Sequence, residues 1–317
     1  MIFNLGFANY DLRSRFRQQI LLLLVFVCLF CSAQETESLI DSGNTKLHFR
    51  TFGTGKPILI INGGPGMDSN GFEKVAQDIA QMNYQTIIYD QRGTGKSTLQ
   101  KSSAEAITMD LMVEDIENLR HHLKIEKWTI LGHSFGGIMA AYYASKHPEI
   151  IDKLIFSSSG GVNLKFMNYV QKRLNNNLTT IERDSLNFYQ RKREAGDNSQ
   201  ATIEKRAHFL AKAYVFDKSK SSAIAQRMTT TNYTINSLVF QNLQKIQFDC
   251  SNSFYNFKQP VLILQGKNDI ISVETAQEIA KAFPNSKLIL MEKCGHYGWI
   301  DANELYYNSI NKFLNNQ

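Results

Sequence analysis

Three residues, far apart in the chain, have the types needed for covalent acyl transfer: Ser134 in Gly132-His133-Ser134-Phe135-Gly136, Asp269 in Gly266-Lys267-Asn268-Asp269, and His296 in Cys294-Gly295-His296. A serine hydroxyl is a weak nucleophile until a neighbouring base takes its proton, and the base in turn needs a group that fixes its tautomer. Ser134 as nucleophile, His296 as base and Asp269 as orienting carboxylate would fill those roles. A second requirement is a set of N–H groups that receive the negative charge formed on the attacked carbonyl. The N–H of Phe135 is one candidate. Asn62-Gly63-Gly64-Pro65-Gly66 is a stiff loop with exposed amides, and Gly63 or Gly64 is expected to supply another.

The elements that must hold these residues can be read from the apolar pattern. Lys127 to Leu131 reads as a short buried strand and the small residues from Gly137 onward as a helix, so Ser134 falls on a strand-to-helix turn. Pro57 to Ile61 is a buried strand ending at the glycine-rich loop, and Gln85 to Asp90 is another. Lys153 to Phe156 follows, then Pro260 to Leu264 before Asp269 and Lys287 to Met291 before His296. Each candidate thus follows the carboxyl end of a strand, where an open parallel sheet builds its sites. Helices are expected at Gly71 to Met82, Glu105 to Leu123, Ser272 to Ala282 and Glu304 to Leu314. Lys46 to Thr51 alternates in polarity and reads as an edge strand.

The fold class that follows is α/β: a mostly parallel sheet with helices on both faces. The alternation stops near Gly160-Gly161. Residues 161–250 are polar and read as helices (Leu164 to Leu174, Ile181 to Glu194, Thr202 to Val215), forming an inserted helical cap, with 34–160 and 251–317 as the core. Lys and Arg outnumber Asp and Glu by 14 to 7 in this insertion. The basic residues are scattered among acids without a binding motif, which argues for a solvated face and no nucleic-acid partner.

Residues 1–33 have the order of a secretory signal: Arg13, Arg15 and Arg17, an apolar run from Ile20 to Phe30, then Cys31-Ser32-Ala33. Cleavage after Ala33 would leave Gln34 first, with secretion or periplasmic residence and no stable membrane span, since the run is short of the ~20 residues a spanning helix needs. Cys28 and Cys31 follow Val27 and Phe30, poor small-residue matches for lipid attachment. Cys250 and Cys294 then remain and read as two separate thiols.

Gly95-Lys96-Ser97 invites a nucleotide reading, but Asp90 stands where a phosphate-binding loop needs its first glycine. Asp90 and Arg92 are expected to brace their loop against the glycine-rich one, and His121-His122 to sit at a helix C-terminus, where the dipole favours them. No cofactor is expected, and no second Cys/His pair accompanies Cys294 and His296 to make a metal site. The overall composition, 43% hydrophobic and 20% charged, excludes disordered and fibrous classes.

The order Ser, Asp, His along the chain is that of the α/β-hydrolase arrangement, and the chain resembles that superfamily. Within it, Gly63-Gly64-Pro65-Gly66, Asp90-Gln91-Arg92-Gly93-Thr94-Gly95-Lys96-Ser97 and Gly132-His133-Ser134-Phe135-Gly136-Gly137 are similar to the proline iminopeptidase group of serine aminopeptidases. That resemblance implies release of an N-terminal residue, often proline, from short peptides without a metal. It also implies cap acids that hold the substrate's amino group, and Glu204, near aromatic residues, is the candidate here. Asn62 departs from the histidine usual before Gly-Gly-Pro-Gly in that group. An esterase, lactonase or C–C bond hydrolase with the same triad is the alternative; the substrate in either case is a small peptide or another small molecule.

Overall fold

The structure, a computed structural model, describes residues 35–315; the expected signal at 1–33 lies outside them. The strands are β1 (Thr36–Ser42), β2 (Thr45–Phe52), β3 (Lys56–Ile61), β4 (Tyr84–Tyr89), β5 (Thr98–Leu99), β6 (Trp128–His133), β7 (Ile151–Ser157), β8 (Val261–Gly266) and β9 (Ser286–Met291). The α-helices are α1 (Glu73–Ala80), α2 (Met109–His122), α3 (Phe135–Lys146), α4 (Met167–Asn176), α5 (Thr180–Glu194), α6 (Gln200–Ala211), α7 (Ser222–Thr229), α8 (Tyr233–Lys245), α9 (Val273–Ala282), α10 (Gly298–Asp301) and α11 (Asn303–Asn315).

All the strands join one sheet in the order β1-β2-β4-β3-β6-β7-β8-β9, with β5 paired to β2. From β4 to β9 every pairing is parallel; only β2 pairs antiparallel, with β1, β4 and β5. Because successive side chains alternate across a strand, Leu59 and Ile61 enter one core and Ile58 and Ile60 the other. The first core is covered by α2, α3 and α9, the second by α1 and α11. Burial on both faces explains why β3, β6, β7 and β8 read as unbroken apolar runs, each large side chain contributing about 1.5–3 kcal/mol.

Two local differences from the sequence reading have physical causes. Thr36–Ser42 forms an outermost strand, so the segment expected at the edge, β2, lies inside it; a mostly exposed strand of TESLIDS carries little apolar signal. The second long helix starts at Met109, not Glu105, because the Thr108 side chain accepts from Leu111 N–H and caps it there. His121 and His122 do occupy its last turn.

Helices α4 to α8 lie between β7 and β8. The two ends of the insertion meet at its base, where Asn163 bridges Asp249 and Cys250 N–H donates to the Val162 carbonyl at 2.7 Å. The last of these helices, α8, sends Ile235, Val239 and Leu243 into the first core, so the insertion is packed onto the body. On α5, Thr179 and Glu182 form a reciprocal capping box, and Glu182 also pairs with Lys212 and Lys218.

Burial opposes the charge of Glu182, but the Lys218 and Thr179 hydrogen bonds outweigh it and pull the carboxyl down to about 2. A lowered folded-state pKa stabilises above the unfolded value, and that contribution is lost as pH falls toward about 2. Glu182→Ala should therefore cost about 1–2 kcal/mol in urea unfolding at neutral pH. The difference from wild type should shrink as the pH is lowered through that window; a constant difference would contradict the assignment.

Candidate active site

Ser134 stands between the last residue of β6 and the first of α3, with φ 56° and ψ −119°. So strained a backbone persists only where its surroundings over-determine it. Here Ser134 N–H donates to the Ser157 carbonyl on the neighbouring strand at 3.1 Å, and the Ser134 carbonyl accepts from Gly137 and Gly160 N–H. The turn is tight enough that a Cβ on Gly132 would meet the Gly136 carbonyl oxygen at 2.4 Å, and one on Gly136 would meet the Ile61 carbonyl oxygen at 2.0 Å. The half-buried Ser134 side chain is thereby held at the carboxyl edge of the sheet.

Asp269 and His296 come together from the loops after β8 and β9. Nδ1 of His296 lies 2.7 Å from Oδ1 of Asp269, with 2% and 0% of the two side chains exposed. The same Oδ1 accepts from Ile271 N–H at 3.0 Å, and Oδ2 accepts from Gln265 Nε2 at 2.9 Å, so the carboxylate is fully engaged and fixed. Gln265 was not foreseen from the sequence. The His296 ring lies 4.6 Å from that of His133, the residue before Ser134, tilted at 56° to it. Among the described residues no hydrogen bond joins the Ser134 hydroxyl to Nε2 of His296; nucleophile–base contacts commonly tighten only when substrate binds.

The glycine-rich loop also reaches the serine: a Cβ on Gly63 would lie 2.8 Å from Ser134 Cβ. Asn62, standing where a histidine is usual, organises that loop. Its amide donates to the carbonyls of Gly63 at 3.0 Å, Met67 at 3.1 Å and Asp68 at 3.3 Å, while Gln91 donates to the Asn62 carbonyl at 2.9 Å. Phe135 opens α3, so its N–H has no intrahelical acceptor, and among the described residues it has no other backbone one. Asp90 braces the neighbouring loops as expected, accepting from Ser69 N–H and from Lys96 N–H, each at 2.8 Å. Arg92 does not. It turns to α2, pairing with Asp115 at 2.7 Å and donating to the Ala106 and Leu111 carbonyls.

The inserted helices grip both loops that carry the pair. Arg173 donates to the Asp269 carbonyl at 2.6 Å, and the Tyr214 carbonyl accepts from His296 N–H at 2.7 Å. Asp301 joins the two bodies, accepting from Gly295 N–H at 2.8 Å and from the cap N–H groups of Phe216 at 2.7 Å and Asp217 at 3.2 Å. Asp301→Ala would free three backbone donors beside His296. Phe216 and Asp217 N–H can turn to water, so we expect a loss of about 1 kcal/mol in urea unfolding together with a lower kcat; unchanged values of both would show that Asp301 does not hold this junction.

Glu204 is placed elsewhere than its expected role requires. It is exposed on α6 and accepts from Gln200 one turn away at 2.7 Å, so it presents no buried charge to a substrate amine. The other insertion acids offer none either. Glu182 and Asp197 pair with lysines, and Asp184, Glu194, Asp217 and Asp249 are exposed.

His133, wholly enclosed, has its pKa held well below the ordinary histidine value by burial and by the nearby His296 and Arg227. It is a neutral neighbour of the base. Arg227, also unforeseen, is a buried cation on α7. A cavity of about 580 Å³ is lined by Arg227, Tyr297, Trp299 and Gly71 but by none of Ser134, Asp269 and His296. Cys250 and Cys294 are both buried and unbridged, and burial raises both thiol pKa values. Among the described residues no cluster of three metal-ligating side chains occurs, and no helix is long and apolar enough to cross a membrane.

Comparison with known proteins bears on the fold and the family. Residues 56–302 match the family model described as alpha/beta hydrolase fold. The chain is 28% identical over 273 residues to a proline iminopeptidase of Lactobacillus helveticus, covering 81% of this chain and 89% of that one. Among solved structures it is similar to an esterase from Exiguobacterium antarcticum (18% identity, TM-score 0.68, 89% of this chain and 100% of that one). A proline iminopeptidase of Mycobacterium smegmatis is similar too (19% identity, TM-score 0.65, 88% and 97%). The strand order, the turn at Ser134 and the family match over most of the chain lead to one conclusion: this protein is a hydrolase of the α/β-hydrolase family.

Proposed function

We propose that the chain is a serine hydrolase that works by acyl transfer through Ser134, His296 and Asp269. The observation that carries this reading is the buried His296–Asp269 pair at 2.7 Å, set at the strand ends beside a serine with φ 56°. Ser134 Oγ attacks the substrate carbonyl while His296 Nε2 takes its proton, and the carbonyl oxygen becomes an anion facing the N–H groups of Phe135 and the Gly63-Gly64 segment. The tetrahedral species collapses by expelling the leaving group, which receives the proton from His296, and leaves an acyl-Ser134. Water, deprotonated by the same imidazole, then releases the acid and restores the serine. Asp269 holds the proton of His296 on Nδ1 and favours the imidazolium formed in each step.

For the substrate we propose the N-terminal residue of a short peptide. Support comes from the curated relatives, which are proline iminopeptidases aligned over 81–90% of this chain. A specific observation favours a second reading, an esterase: among the described residues of the insertion, no buried, unpaired carboxylate awaits a substrate ammonium, which would be costly to bury alone. Rates on aminoacyl-naphthylamides with a free and with an acetylated amine, beside short-chain nitrophenyl esters, separate the two. The aminopeptidase reading predicts that acetylation abolishes cleavage. Equal rates on the two amides would overturn it in favour of a general hydrolase that does not need the amine, and turnover of the esters alone would overturn it in favour of the esterase.

A further inference from the structure

Arg227 presents a problem in burial. The residue is 8% exposed, yet among the described residues no carboxylate lies within ion-pair distance of it, and its Nε has no hydrogen-bond partner. Its contacts are neutral. Nη1 donates to the Tyr297 hydroxyl at 3.2 Å, Nη2 reaches the Gly63 carbonyl at 3.5 Å, and the guanidinium lies 5.0 Å over the Phe72 ring and 5.7 Å from that of Tyr297. The fit is specific as well, since a Cβ on Gly71 would meet Arg227 Cδ and Nε at 2.9 Å. A buried cation without a counter-ion is unfavourable, and such arrangements concentrate where charge develops during function.

The charge that develops here is an oxyanion. The Gly63 carbonyl, which accepts from both Asn62 Nδ2 and Arg227 Nη2, belongs to the same planar peptide unit as the Gly64 N–H. Donors on the oxygen of a peptide polarise it and strengthen its N–H as a donor. His133, beside this loop, is held neutral by burial. Asp68, Lys74 and Asp78 line the cavity that Arg227 also lines, but among the described residues neither carboxylate is within ion-pair distance of the guanidinium.

We propose that Arg227, carried by the inserted helices, is a positioning residue of the oxyanion site: it fixes the Gly63–Gly64 peptide and supplies the positive field that favours negative charge on the attacked carbonyl. This makes the insertion a contributor to the chemical step as well as a cover, and it rests on the reading of Ser134 as nucleophile.

The test compares Arg227→Lys, which keeps the charge, with Arg227→Gln, which keeps a donor and loses it. Each is assayed for thermal midpoint, kcat, KM and affinity for a short alkyl boronic acid. That probe adds the Ser134 oxygen to boron, passes the serine proton to His296 and leaves a tetrahedral anion in the oxyanion position. Ser134→Ala is measured first. If it kept activity and boronate affinity, the nucleophile reading itself would fail, independently of Arg227.

With that control passed, Arg227→Gln should lose about tenfold or more in kcat and in boronate affinity together, with KM within about threefold. Arg227→Lys should stay within about threefold of wild type in all of them. Unchanged kcat and boronate affinity in a folded Arg227→Gln would overturn the proposal. So would equal losses in the two variants, which would assign the role to shape. Should Arg227→Gln not fold, Arg227→Lys decides alone: near-normal kcat and boronate affinity support the proposal, and a tenfold loss of either overturns it.

Discussion

Replacing Ser134 by Ala is expected to lower kcat by about 10⁶-fold while leaving the thermal midpoint close to that of wild type. The strained backbone at Ser134 is fixed by main-chain hydrogen bonds to Ser157, Gly137 and Gly160, none of which uses the hydroxyl, so the variant keeps its fold. His296→Ala should lose activity on the same scale, because without a proton acceptor the serine returns to the reactivity of an ordinary alcohol. The two side chains act as one unit. The double variant should be scarcely slower than either single one, and multiplying losses would show that Ser134 and His296 do not share a step.

Asp269→Asn, nearly isosteric, is expected to cost about 10⁴-fold in kcat, and the surroundings of the carboxylate say why. Gln265 Nε2 donates to Oδ2 and is also engaged with the carbonyls of Gly266 at 3.1 Å and Ile271 at 3.0 Å, so it cannot readily turn round. An asparagine that keeps its oxygen toward His296 therefore sets its NH₂ against the NH₂ of Gln265. The opposite rotamer satisfies Gln265 but sets NH₂ against Nδ1 of His296, which drives the imidazole proton to Nε2 and removes the base. Kinetics at saturating substrate measure the loss. An Asp269→Asn enzyme within tenfold of wild type would mean that the buried pair serves packing alone.

What could be read in the sequence, and what could not, follows from distance along the chain. Ser134, Asp269 and His296 each follow a short apolar strand, and a parallel sheet gathers such loops at one edge, so their neighbourhood is legible in the sequence. Asn62 and Gln265 were silent: their function lies in which carbonyls and carboxylates fold back against them. The Arg227 contact to Gly63 spans 164 residues and the Asp301 contact to Phe216 spans 85, and no local pattern encodes pairings of that range.

Within the insertion, polarity concealed structure. Helices α7 and α8 were not anticipated in a stretch rich in Ser, Thr and Asn, although Ile235, Val239 and Leu243 recur at the four-residue spacing of one helical face. Glu204 has aromatic neighbours in sequence, but helical periodicity turns it outward while Ala207 and Ala211 turn in.

The measurement that bears most directly on Ser134 is labelling of the intact protein with an alkyl fluorophosphonate, which phosphonylates an activated serine and releases fluoride, followed by mass mapping of the peptides. The expected result is a single adduct on the peptide containing Ser134, formed in parallel with loss of activity and absent from His296→Ala. An adduct on another serine, or complete inactivation with Ser134 unmodified, would contradict the assignment of Ser134 as the nucleophile.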